Sequence, residues 1–187
     1  MKRLLIVALL LSVCFAFAMA EEKAPVEVTA EAAMEGPYLV TTCGQSPGAV
    51  MVGMSGMQSG KKVTYNNTLT AEDVVSDEFK TLIITTGTSM KGMGAAGTDI
   101  DAEIARCLAV AEAAKNAGMK VVCAHIEGMA RRTDSSDTAS IEAIIEVADI
   151  ILVVEESDSD GFFSTYAKGN DKPIIIVKDA LGVGEIL

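Results

Sequence analysis

The sequence predicts a doubly wound α/β domain on a mainly parallel sheet, and three observations carry that prediction. Short Val/Ile/Leu-rich runs alternate with helical patterns from Tyr38 onward. Several of these runs are continuously apolar, as expected of parallel strands covered on both faces. The chain has 187 residues, half of them hydrophobic, enough for one domain with a substantial core.

The predicted strands are Tyr38–Thr42, Lys62–Tyr65, Thr81–Thr86, Lys120–Ala124, Ile150–Glu155 and Pro173–Lys178. Ser46 reads as the N-cap of a first helix, with Pro47 at the first helical position, where a missing N–H costs nothing. Thr70 and Asp73 form a shortened capping box for a brief second helix. The longest helix runs from about Asp99 to Ala117, with Ile100, Ile104, Cys107, Leu108, Ala111 and Ala114 on one stripe and Gly118 as its stop. Another helix puts Ile141, Ile144, Ile145 and Ala148 on one face, and a short one covers Phe162–Lys168. The expected product is a single domain over residues 37–187, a three-layer sandwich of flavodoxin-like or Rossmann-like type.

Residues 1–20 are set apart from that domain. Lys2 and Arg3 precede an apolar run from Leu4 to Phe17, and Ala18-Met19-Ala20 forms the A-x-A pattern of a secretory signal peptide. The run, at about 14 residues, is shorter than the roughly 20 that span a bilayer. A lipoprotein reading through Cys14 meets the bulky Val13. Cleavage after Ala20, a periplasmic or secreted location and no stable membrane insertion are therefore expected. Residues 21–36 form an acidic, Ala-rich spacer. Cys43, Cys107 and Cys123 remain after cleavage, an odd and scattered set that makes no disulfide framework.

Charge narrows the partners. The chain carries a net −11, and 13 basic against 26 acidic residues once residues 1–20 are removed. Such a surface repels nucleic acid and anionic headgroups. No Trp and 4% aromatics leave no base-stacking platform, and one His excludes a His-rich zinc site. No cofactor and no resident metal are expected.

In open α/β sheets, ligands sit beyond the carboxyl ends of the strands, where helix N-termini also point. The informative ends are Thr41–Ser46, Gly87–Gly94, His125–Arg132 and Glu155–Gly161. Gln45, Ser46, Thr88, Ser89 and Gly92 offer backbone and hydroxyl donors to an anion. Lys91, His125, Arg131 and Arg132 add positive or titratable groups, and Arg grips a carboxylate or phosphate bidentately. The bland alternative is that these are turn residues and surface charges.

Sharper motifs fail. Gly92-x-Gly94-x-x-Gly97 matches a dinucleotide fingerprint, but Gly87 to Lys91 separate it from its strand. No Gly-rich segment ends in Gly-Lys-Ser/Thr. Cys43 sits where a phosphatase loop would begin, yet Ala49 stands where that loop needs Arg. Ser89 lacks the second Gly of a nucleophile elbow. Glu156-x-Asp158-x-Asp160-Gly161 opens like a calcium loop, but Ala167 holds the position of its closing Glu.

Three segments together, Gly44-Gln45-Ser46-Pro47, Gly87-x-Ser89-x-Lys91-Gly92-x-Gly94-Ala95-Ala96-Gly97-x-Asp99 and His125-Ile126-x-Gly128-x-Ala130-Arg131-Arg132, resemble a family of exported bacterial single-domain proteins known only as a domain of unknown function. The resemblance covers about Tyr38 to Val177, with Thr88 departing from the Gly it favours. It implies an exported single domain and supplies no catalytic residue.

Three functional readings remain open. One is an exported module binding a small anionic metabolite at the strand ends, accessory to a transporter or sensor. Another is an extracytoplasmic hydrolase or transferase using Ser89 or Cys43, with His125 or Glu127 as base. A protein-interaction domain of the cell envelope is a third.

Overall fold

The computed structural model describes residues 34–74 and 77–187; residues 1–20, where a signal peptide is expected, and residues 21–33 of the expected spacer lie outside the described residues. Six strands, β1 (Tyr38–Cys43), β2 (Val63–Tyr65), β3 (Thr81–Thr86), β4 (Lys120–His125), β5 (Ile150–Val154) and β6 (Ile174–Val177), form one sheet in the order β2-β1-β3-β4-β5-β6. Every pairing is parallel, with Val40 beside Ile83, Leu82 beside Val121, Cys123 beside Ile151 and Val153 beside Ile176. The first five positions of that order are those of flavodoxin-like doubly wound folds, and β6 extends the far edge.

Period-two alternation sorts the strand residues between two cores. Leu39, Leu82, Ile84, Val121, Ile151 and Val153 face α3 (Ile100–Asn116), α4 (Ser135–Val147) and α5 (Phe162–Gly169). Val40, Ile83, Val122, Leu152 and Val154 face α1 (Gly48–Gln58) and α6 (Gly182–Ile186). Both faces of the central strands are dry, which is why these segments read as unbroken apolar runs. The last residues of the predicted spacer also belong to the packing: Met34 lies against the second core, and the Glu35 carbonyl accepts from Thr81 Oγ1 at 2.8 Å.

The helix starts obey capping chemistry. Asp99 Oδ1 accepts from Ala102 N–H at 2.9 Å to open α3, and Asp134 Oδ1 accepts from Ser136 and Asp137 N–H to open α4. The Thr70–Asp73 capping box stands on a three-residue 3-10 turn, Ala71–Asp73.

Three expectations change. The N-cap of α1 is Pro47, not Ser46; the Ser46 hydroxyl is buried and lies 3.3 Å from Thr42 Oγ1, and the first N–H of α1 is satisfied from another element. The strand end Gly87–Gly94, to which no helix was assigned from sequence, runs into a helix, α2 (Met90–Ala96), begun by Ser89 and stopped by left-handed Gly97. The closing helix α6 had no signal, because five residues are too few to show a period. Among the described residues no helix is long and apolar enough to cross a membrane.

Candidate functional site

The chain leaves β1 toward one edge of the sheet and β3 toward the other, so the topological switch point lies between their carboxyl ends. The loops after β1 and β3 meet there. Gln45 and Thr88 form an antiparallel bridge, and Ser89 N–H donates to the Gly44 carbonyl at 2.8 Å. This closure needs unusual backbone: Gly44 has φ +119° and Gln45 φ +56°, a left-handed conformation uncommon outside glycine. Helix α2 then packs so tightly on the first loop that a Cβ at Gly92 would strike the Gln45 carbonyl.

The donors that sequence reserved for an anion are held by the protein's own side chains. Glu103, on the first turn of α3, accepts from Gly44 N–H and from Gln45 Nε2, both at 3.1 Å, and pairs with Arg106 at 2.8 Å. Arg106 in turn donates to the carbonyls of Thr42 and Leu69. Asp137, on α4, accepts from Thr88 N–H and hydroxyl through Oδ1, and from Thr133 N–H and hydroxyl through Oδ2. Burial alone would raise this carboxyl, but those hydrogen bonds outweigh burial and hold it below the ordinary aspartate value. Ser140 Oγ accepts from Gly87 N–H, and Ser157 Oγ accepts from Gly128 N–H.

Glu127 occupies the most telling position. One of its oxygens accepts from Gly48 N–H, the first of α1, at 3.0 Å, and the other pairs with Arg131 Nε at 3.1 Å. Its side chain is 8% exposed, whereas that of Arg131 is 31% exposed. Arg131 also donates to the Thr88 carbonyl at 2.6 Å, joining the ends of β3 and β4. A carboxylate therefore sits at a helix N-terminus, against a guanidinium, beside the switch point.

The sequence-predicted residues divide accordingly. Gln45, Ser46, Thr88, Ser89, Gly92, Glu127 and Arg131 gather around the switch point. Lys91 is exposed on α2 and makes no ion pair among the described residues. Arg132 turns away: it pairs with Asp160 at 2.7 Å, donates to the Ser157 carbonyl and lies over the ring of Phe162. His125 is fully buried and stacked 5.4 Å from Phe163. Its Nε2 donates to the Gly128 carbonyl at 3.2 Å, which leaves Nδ1 to accept from Thr86 Oγ1 at 3.0 Å. Burial lowers its pKa to about 4, so the ring is neutral.

The nucleophile candidates have structural duties. Ser89 Oγ caps α2 by accepting from Gly92 N–H. Cys43, Cys107 and Cys123 are free and buried. Cys43 and Cys107 interact, which lowers Cys43 and raises Cys107, while burial pushes Cys123 up to about 12. Among the described residues, no hydrogen bond joins Ser89 or Cys43 to His125 or Glu127. The acidic loop after β5 also spends its carboxylates locally. Asp158 accepts from the N–H groups of Phe163 and Ser164 at the start of α5 and from the Ser164 hydroxyl. No group of three or more His, Cys, Asp or Glu side chains could hold a metal among the described residues.

Glu103, Arg106, Asp137 and Ser140 were missed. Their signal was present: Glu103 and Asp137 each fall four residues before an apolar stripe position, Cys107 and Ile141, where a charge has no place unless it is paired.

A comparison with curated proteins finds no match. Faint likenesses exist among solved structures. A GDSL-like lipase from Bacteroides thetaiotaomicron VPI-5482 is 14% identical, with a TM-score of 0.38, over 74% of this chain and 66% of that protein. A candidate acylhydrolase from Bacteroides fragilis NCTC 9343 is 11% identical, with a TM-score of 0.35, over 77% of this chain and 70% of that one. The chain thus spans just under two thirds of the length of the first. Likenesses this faint carry nothing about chemistry. A family model does match, over residues 35–187, which takes in every strand and helix described above: the chain belongs to the family of the Domain of unknown function (DUF6305).

Proposed function

We propose that the protein is an exported, non-catalytic binding module that receives a small anion, a carboxylate or similar group, at the switch point between β1 and β3. The observation that carries this reading is the seat of Glu127. An α1 N–H and the Arg131 guanidinium already hold a carboxylate there, so the chemistry of the seat suits one. A ligand anion binds by taking the place of Glu127, with Lys91 adding positive charge at the rim. Residues 1–20, read as a signal peptide, place the module in the periplasm or outside the cell, accessory to a transporter or sensor. The hydrolase or transferase reading lacks a nucleophile–base contact to build on.

A thermal-shift screen against small carboxylates, phosphates, nucleotides and divalent metals tests this. A bound ligand at about 100 times its Kd stabilises the native state by roughly 2.7 kcal/mol, a shift of several degrees. One anion class is expected to raise the melting temperature, more strongly in Glu127→Gln and not at all in Arg131→Ala. A flat screen for both wild type and Glu127→Gln overturns the proposal. That result would favour a protein-interaction domain of the envelope, for which the internal satisfaction of the Gly44, Gly87, Thr88 and Gly128 N–H groups is the supporting observation.

A further inference from the structure

The end of β1 and the first two turns of α3 are held together by three contacts. Arg106 donates to the Thr42 carbonyl, Cys107 Sγ lies 3.5 Å from the same oxygen, and Gly44 N–H donates to Glu103. Cys43, the last residue of β1, stands between the two tied residues, Thr42 and Gly44. Its side chain belongs to the core on the α3 side, as does that of Cys107, and both are fully buried. Both side chains therefore lie in the layer between β1 and α3, with Cys107 Sγ against the carbonyl of the residue that precedes Cys43, and each perturbs the ionisation of the other. Cys123 lies two strands away on β4.

We propose that Cys43 and Cys107 form a disulfide when the chain folds in an oxidising compartment, stapling the end of β1 to α3. The inference needs no ligand; it rests on the export reading and not on the anion seat. The oxidant is a low-molecular-weight or protein disulfide. One cysteine thiolate attacks it, forming a mixed disulfide and releasing one thiol. The second cysteine thiolate then attacks the first cysteine sulfur, forming the Cys43–Cys107 bond and releasing the other thiol. Two electrons pass to the oxidant, and the two cysteine protons end on its thiols. Because both sulfurs are inaccessible in the folded domain, exchange takes place while the chain is still open. Once the core closes, the bond is shielded from reductant.

The staple spans a loop of about 65 residues, for which chain-entropy arguments predict a substantial gain in stability. It also lies beneath the strained Gly44–Gln45 turn, and so fixes the loop that faces the switch point.

The test begins with the full-length chain, reduced and unfolded, then refolded in a glutathione redox buffer or in excess reductant. Both samples are denatured and alkylated. The oxidised sample is expected to alkylate two of its four cysteines rather than all four, to weigh less by two hydrogens before alkylation, and to yield a Cys43–Cys107 peptide. Its melting temperature is expected to be higher by roughly 10 °C. Cys123→Ala keeps the linkage and Cys43→Ala abolishes it. Alkylation of both Cys43 and Cys107 after oxidative refolding overturns the proposal, as does a linkage running to Cys123. Because the decisive readout is made on the wild-type chain, a variant that fails to fold leaves the test intact.

Discussion

Single side chains near the switch point do the work of a ligand. Glu103, Asp137 and Glu127 each place a carboxylate against backbone N–H groups from a different element, and a buried N–H left without such a partner costs about 1–3 kcal/mol. His125 plays the neutral counterpart, accepting from Thr86 and donating to Gly128. Its folded pKa of about 4 lies below its ordinary 6.5, so between those values the unfolded chain binds the extra proton. The stability carried by the neutral ring is complete above pH 6.5 and is lost as pH falls through 6.5 toward 4. The difference amounts to about 3 kcal/mol. Denaturant titrations at pH 7.5 and 4.5 are expected to show this loss, and His125→Gln, less stable at pH 7.5, is expected to show a much smaller one. An equal pH slope in the two proteins would remove His125 as its source. Asp137 titrates in a separate, lower window, since its depressed carboxyl loses stability only as pH drops below 3.8.

At the scale of elements, close approach rather than propensity decides the packing. Helix α6 is five residues long and has no stability of its own. It is held because Gly184 lies directly against the Ser55 backbone of α1, donating its N–H to Ser55 Oγ at 2.8 Å, while Ser55 Oγ donates to the Leu181 carbonyl at 2.7 Å. A methyl group at Gly184 meets a backbone carbonyl, which cannot swing aside. Gly184→Ala is expected to cost about 2 kcal/mol, with faster amide exchange confined to α6 and its contact on α1. Unchanged stability would mean that α6 repacks freely. The same principle operates at Gly92, where α2 rests on Gln45, and it explains why a helix rich in Gly and Ala escaped sequence reading. The apolar stripe that identifies a helix was replaced by small residues that allow contact.

For the whole molecule, charge and topology act together. The whole chain carries a net −11, most of its charged residues lying in the one domain, so like-charge repulsion opposes compaction. Raising salt from about 10 mM to 150 mM at pH 7 shortens the screening length from roughly 30 to 8 Å. The melting temperature is expected to rise by a few degrees over that range, and to be nearly insensitive near pH 4.5, where the formal charge vanishes. A falling melting temperature at pH 7 would show that attractive pairs such as Arg131–Glu127 outweigh the net repulsion.

Sequence alone determined the strands, the long helices and the layer class, because burial on two faces leaves runs such as Ile150–Val154 and a stripe such as Cys107, Ala111 and Ala114 leaves a 3.6-residue period. It also brought out the residues around the switch point, since Gly, Ser and Arg at strand ends are local signals. Tertiary structure alone decided what those residues face. Glu103 and Asp137 meet the β1 and β3 loops from 59 and 49 residues away, and Arg132 is drawn off by Asp160. Strand order sets such pairings, and strand order depends on crossovers whose direction no local pattern records.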